Sequence, residues 1–198
     1  DIFDVARKNR AFMALAIHGV FQGITQAINM SMGTYMFTDV LGSMSLMSIS
    51  SICILPFTGA ALVCSPYLVK KMGTMKLIRG GLVIGTGVYL VLFAMHVLTN
   101  VNPMVHILMS AVGAMFTGVG TMMQWGLVGE AIDYNEYLLG KRSEGTIYGT
   151  FNMLRRLGQA IGTSGSVALL GWIGYDVSLS NVGLAQSEET VVGIKVLC

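Results

Sequence analysis

The chain has 198 residues, of which 54% are hydrophobic and 11% are charged, with a formal net charge of +2. A soluble domain carries about 25% charged residues, and one this apolar would expose aggregating patches, so the composition points to a chain dissolved in a bilayer. The small net charge gives no hint of a nucleic-acid partner.

A mostly polar segment of ten residues leads in, with Arg7, Lys8 and Arg10. Apolar runs follow over about 12–38, 44–69, 77–98, 104–129 and 146–175, and a sixth begins near 190. Each long run suffices for a helix crossing a ~30 Å hydrocarbon core, which takes about 20 residues. Helices satisfy their own backbone groups in lipid, so the runs are expected to be helical. Pro56 and Pro66 interrupt the second run. The start at Asp1 and the apolar end at Cys198 read as a piece of a longer protein without a signal peptide. Cys53, Cys64 and Cys198 show no metal spacing and read as buried apolar filler.

Charge in the loops alternates. Basic residues precede the first run, fill the loop at Lys70, Lys71, Lys76 and Arg79, and recur at Lys141 and Arg142. The intervening loops carry none, and the last has Asp176, Glu188 and Glu189. The positive-inside rule then places the N-terminus and the basic loops in the cytoplasm. Gly19 and Gly23, Gly81 and Gly85, and Gly158 and Gly162 are spaced for close helix approach.

Polar residues stripe two runs. His18, Gln22, Gln26 and Asn29 share one helix face, as do Ser110, Thr117, Thr121 and Gln124. Carboxamides in hydrocarbon need partners or water, so Gln22, Gln26, Asn29 and Gln124 are candidate linings of a substrate cavity. The serines and threonines read as interhelical hydrogen-bond partners, and His18 as a core residue. The third run carries only Thr86, Tyr89 and His96 and reads as an outer, lipid-facing helix.

The fifth run contains Arg155 and Arg156. At ~1.5 Å per residue they lie about 15 Å from its start, near the midplane. A cation there costs about 2.5–3.5 kcal/mol or more on insertion scales and needs a carboxylate, carbonyls, water or a ligand. Both arginines are therefore candidate substrate contacts.

Between the fourth and fifth runs, charge of both signs concentrates in Glu130, Asp133, Glu136, Lys141, Arg142 and Glu144, interleaved with Tyr134, Tyr137 and Leu138. No nucleophile–base pair and no metal-ligand spacing accompanies them, so the reading is not an enzyme. Salt bridges that break and re-form suit a cytoplasmic gate built from Glu130, Asp133, Glu136, Arg142 and Glu144.

The stretch Glu130, Asp133, Tyr134, Glu136, Tyr137, Gly140, Lys141, Arg142, Glu144, Gly145, Tyr148, continuing to Arg155, Arg156, Leu157 and Gly158, resembles the glycoside–pentoside–hexuronide:cation symporters, the melibiose-carrier branch of the major facilitator superfamily. Lys8, Asn9 and Arg10, and the segment from Tyr67 to Gly73, resemble the same family. The resemblance implies an all-α membrane protein: the C-terminal six-helix half of the transporter fold, with five complete transmembrane helices and the start of the sixth, as one half-domain over 1–198. It implies a symporter coupling Na⁺ or H⁺ to uptake of sugars or glycosides by alternating access, in the cell membrane. Glu130, Asp133, Glu136 and Arg142 would form a charged network meeting the other half. Arg156 would take the family's central basic position, commonly Lys, and an acidic sugar such as a hexuronide would suit two arginines. The ligands for the coupling cation would lie in the absent N-terminal half, and no covalently bound cofactor is expected. Implied partners are membrane lipid, a sugar or glycoside and the missing half, with no nucleic acid. Alternatives are a carrier of lipid or organic anions, or a membrane fragment that does not transport.

Overall fold

The structure, a computed structural model, describes residues 5, 7–99, 101–140, 142–181 and 185–197. Among them there is no strand. The helices are α1 (Arg10–Tyr35), prolonged by a π-helical turn (Met36–Val40), α2 (Ser45–Met72), α3 (Thr74–Leu98), α4 (Pro103–Leu139), α5 (Glu144–Trp172), the short α6 (Val177–Asn181) and α7 (Glu188–Leu197). The segments Arg10–Val40, Ser45–Met72, Thr74–Leu98 and Pro103–Leu139 are long and apolar enough to cross a membrane. The 29-residue α5 is long enough but more polar, because it carries Arg155 and Arg156.

The second apolar run is one helix through both of its prolines. A proline removes one backbone donor and frees the carbonyl four residues earlier. For Pro66 that carbonyl belongs to Leu62, and the Ser65 hydroxyl donates to it at 3.1 Å. Most of α2 faces outward, so Cys64 is exposed and Cys53 half-buried rather than the buried filler expected, and both are free thiols. Cys198 lies outside the described residues.

The chain divides into two compact units, residues 1–31 with 124–168, and residues 32–123 with 169–198. In the second unit, Ala61, Leu77 and Val119 form a small core, with Leu68, Val69, Met115 and Met123 packed around it. Here Gly81 and Gly85 seat α3 on α4: a Cβ at Gly81 would stand 2.6 Å from the Phe116 carbonyl oxygen, and one at Gly85 2.6 Å from Thr117 Cγ2. The third run thus has a buried face (Leu77, Ile78, Gly81, Gly85, Leu92 and His96) beside the outward one that carries Val83, Leu90 and Val91.

The first unit is built on α1, α4 and α5. Its core is Phe12, Leu15 and Ala16 of α1, Val128, Ala131 and Ile132 of α4, and Ile147 and Phe151 of α5, joined by Val5. Asn9 opens α1: its Oδ1 accepts from the Phe12 N–H at 2.9 Å and its Nδ2 donates to the Ala131 carbonyl at 3.0 Å. It is a helix cap that also ties α1 to α4.

The tightest packing is between α1 and α5, where two glycine pairs interlock. A Cβ on Gly23 would strike the Arg155 carbonyl oxygen, and one on Gly158 would strike that of Val20. A Cβ on Gly162 would stand 2.5 Å from the Ile24 carbonyl oxygen, and one on Gly19 2.7 Å from the Phe151 ring. Backbone therefore meets backbone along this seam, which only glycine permits. We expect Gly158→Ala to destabilise the chain in detergent by about 1–3 kcal/mol through overpacking. Gly165→Ala, where the added methyl meets open space, should cause no loss in the same unfolding measurement.

Candidate functional site

Two polar constellations lie in the first unit. The first surrounds Arg155. The seam holds its backbone against Gly23, so the side chain emerges beside the Gln26 end of the α1 stripe. Arg155 Nη1 lies 3.4 Å from Gln26 Oε1, a long hydrogen bond, and Gln159 Nε2 donates to the same oxygen at 3.1 Å. The guanidinium carbon stands 5.7 Å from the centroid of the Trp125 ring, within cation–π range. Trp125 is itself set by Phe151 (5.8 Å, 83°) and Tyr148 (5.8 Å, 37°). Phe151 is fully buried against Gly19. One mechanical line thus runs from the glycine seam through Phe151 and Trp125 to Arg155.

This guanidinium is half-buried, and its Nε has no hydrogen-bond partner among the described residues. A buried N–H left unmet costs about 1–3 kcal/mol, more on a charged group. The guanidinium is thus under-paired. Trp125, 41% exposed, offers an aromatic face beside it.

The other candidates are placed differently. Arg156 is exposed, one residue and about 100° around the helix from Arg155. Gln22 is half-buried, and Asn29 is exposed and donates to the Thr25 carbonyl at 2.9 Å. Gln124 is 1% exposed, enclosed near Gly19 and Phe151 rather than presented outward, and its Nε2 has no partner among the described residues. The structure therefore brings together Arg155 and Gln26, and adds Trp125 and Gln159. Gln159 lies four residues from Arg155, a helical neighbour readable from spacing. Trp125 follows Gln124 in sequence, off the polar stripe, so only packing reveals its role.

The second constellation is the loop after α4. Gly140 adopts φ +66° and its N–H caps the Glu136 carbonyl at 2.8 Å, a left-handed helix stop that favours glycine. The chain turns there and brings Arg142 back over α4. Arg142 Nη1 pairs with Glu136 Oε2 at 3.1 Å and with Asp133 Oδ1 at 3.5 Å. Its Nε donates to Glu144 Oε1 in a close contact. The hydrogen bond to Glu144, the charge of Glu144 and the bond to Glu136 hold the guanidinium above its ordinary pKa. Among the described residues these are all the ion pairs, so Glu130 stands outside the cluster. Lys141 lies outside the described residues. Between Asp133 and Glu136 in the same helix, Asn135 is completely buried, a residue the charge pattern did not single out.

All these charged side chains are exposed, so the cluster is a reversible clasp rather than a buried anchor. A planar fork meeting three carboxylates is something Lys cannot reproduce. Arg142→Ala is expected to raise amide exchange severalfold across residues 136–147, by hydrogen-exchange mass spectrometry, with Arg142→Lys intermediate. The wild-type protection should weaken at high salt.

The chain is similar to known transporters over most of its length. A family model described as "MFS/sugar transport protein" matches residues 2–198. The glucuronide carrier protein homolog of Escherichia coli (strain K12) is 32% identical over 130 residues, 66% of this chain and 27% of that protein. The uncharacterized symporter YjmB of Bacillus subtilis (strain 168) is 27% identical over 189 residues, 96% of this chain and 39% of the relative. The uncharacterized symporter YnaJ of the same organism is 29% identical over 202 residues, 98% of this chain and 40% of the relative. The chain therefore spans two fifths or less of the length of these relatives.

Proposed function

The chain belongs to the MFS/sugar transport protein family, and from that premise we propose that it forms the Arg155-bearing part of a symporter for anionic sugars or glycosides. Members of this family carry solutes, so the chain is a membrane transport protein and not an enzyme. The observation that carries the proposal is the Arg155 guanidinium, with one N–H unmet and a long bond to Gln26, beside the exposed face of Trp125. A carboxylate or other anionic group on the solute would complete the guanidinium's donors. The sugar ring would lie on the indole, with Gln26 and Gln159 as hydroxyl partners. A relative named as a glucuronide carrier homolog supports an acidic sugar, and two relatives named as symporters support cation coupling. Carboxamides beside the arginine argue against a lipid as cargo.

In this reading Arg156, with Gln22 and Asn29, contributes to the same solute path. The coupling ion is Na⁺ or H⁺, with ligands elsewhere in the whole transporter. Arg142, with Asp133, Glu136 and Glu144, forms the cytoplasmic gate, with Glu130 beside it, closing against the remainder of the protein in the inside-closed state. The N-terminus and the basic Lys70–Arg79 helix junction share that cytoplasmic side, and the membrane is the cell membrane.

Arg155→Gln removes the charge and keeps hydrogen-bonding capacity. A charge-assisted bond is worth about 1.5–3 kcal/mol, so uptake of an anionic glycoside at low concentration should fall about tenfold or more. A neutral glycoside should be spared, with the protein still present in the membrane. Uptake measured in the complete transporter checks this; an unchanged ratio of anionic to neutral uptake contradicts it. Trp125→Ala should weaken both substrates.

A further inference from the structure

The second unit contains a polar contact for which neither the solute site nor the gate accounts. His96 near the end of α3 and His106 near the start of α4 are 6% and 8% exposed. His96 Nε2 and His106 Nδ1 are 2.9 Å apart, a hydrogen bond between rings whose planes are inclined at 68°. Phe37 of the π-helical turn stands at 86° to the His106 ring, 5.7 Å between centroids.

The protons of such a pair can be counted. A neutral imidazole has one N–H and one bare nitrogen. The bond between the facing nitrogens uses one N–H and one lone pair. The accepting ring keeps its own proton on its outward nitrogen, so the neutral pair has a single bare nitrogen, on the outer side of the donor ring. A first added proton binds there and leaves the bond in place, now charge-assisted. A second must bind the accepting nitrogen. Both facing nitrogens are then donors, both rings are cations, and the bond cannot exist. The pair holds with no added proton or one, and breaks with two.

We propose that His96 and His106 form a proton-binding site that clasps α3 to α4 and opens when it takes up two protons. The proton is the ligand the geometry suits. Two imidazoles are too few donors for a tetrahedral metal site, and no group of three or more His, Cys, Asp or Glu gathers among the described residues. Around the pair, the charged group that acts on His96 through space is Lys195 of α7. Asp39, in the π-helical turn, is engaged elsewhere: its Oδ2 accepts from Thr38 at 2.8 Å and from Tyr175 at 3.3 Å. Glu188 and Glu189 occupy the first turn of α7, about 10 Å along the helix from Lys195 at ~1.5 Å per residue. Because α7 packs on both the π-helical turn and α3, opening the clasp would loosen the seat of all three.

The chain has three histidines, so in a His18→Gln background the remaining imidazoles are this pair alone. Nitrogen-15 histidine labelling of the full chain in lipid nanodiscs reads them directly. The expected result is a scalar coupling across the facing nitrogens near neutral pH, lost on acidification as both rings become imidazolium. Lys195→Gln should move that loss to higher pH, because it removes a repelling cation. No coupling at neutral pH, or a coupling that persists with both rings charged, would overturn the proposal. Should the His18→Gln chain fail to fold, thermal unfolding serves with otherwise unaltered protein. The midpoint of wild type should then fall more between pH 7 and pH 5 than that of His96→Gln or His106→Gln, and equal falls would refute the clasp.

Discussion

Backbone contact between α1 and α5 is the constraint on which the first unit depends. Gly23 on one helix and Gly158 and Gly162 on the other let carbonyl oxygens sit where Cβ atoms would otherwise be, and Gly19 makes the same room for the Phe151 ring. In a bilayer the hydrophobic effect does not hold helices together, because lipid is as apolar as leucine. Close van der Waals contact does that, and its geometry has little tolerance. The seam fixes the rotation of α5 about its own axis. That rotation decides which of the two adjacent arginines points toward Gln26 and Trp125, and it selects Arg155.

The continuous stretch from Glu130 to Gly158 accordingly divides into two devices with different physics. At Arg142 the charges are exposed and paired, so each pair is weak and easily exchanged. At Arg155 the charge is half-buried and under-paired, which makes it responsive to an anion. Arg155 lies eleven residues beyond Glu144 on one helix, about 16 Å at ~1.5 Å per residue. A rigid rod of that length is a physical link by which an event at one end can be felt at the other.

Much of this was legible in the sequence, because in a membrane chain hydrophobic runs, glycine spacing and rare charges each have few alternative meanings. All three spaced glycine pairs mark helix contacts, and the helices follow the apolar runs. The charged residues around Arg142 are close in sequence, so their grouping was visible as well, although Glu130 makes no ion pair among the described residues. What the sequence hid depends on which faces meet. Helical periodicity put Gln124 on a polar stripe, yet α1 and α5 enclose it. Trp125, and the tie of Asn9 to α4, have meaning only through partners more than twenty residues away. His96 and His106 belong to different runs, and no single-helix pattern could pair them. The prolines of α2 looked like breaks because a proline's local cost is readable, whereas the Ser65 hydroxyl that relieves Pro66 is a local detail easily passed over.

The central claim is that the seam presents Arg155, Gln26 and Trp125 together to a solute. A single cysteine at position 26, in the complete transporter with other cysteines replaced by serine, tests this through its rate of modification by a small water-soluble thiol reagent. A transported anionic glycoside at saturating concentration should slow that modification severalfold. An unchanged rate at position 26, with transport of the same glycoside intact, would contradict the account.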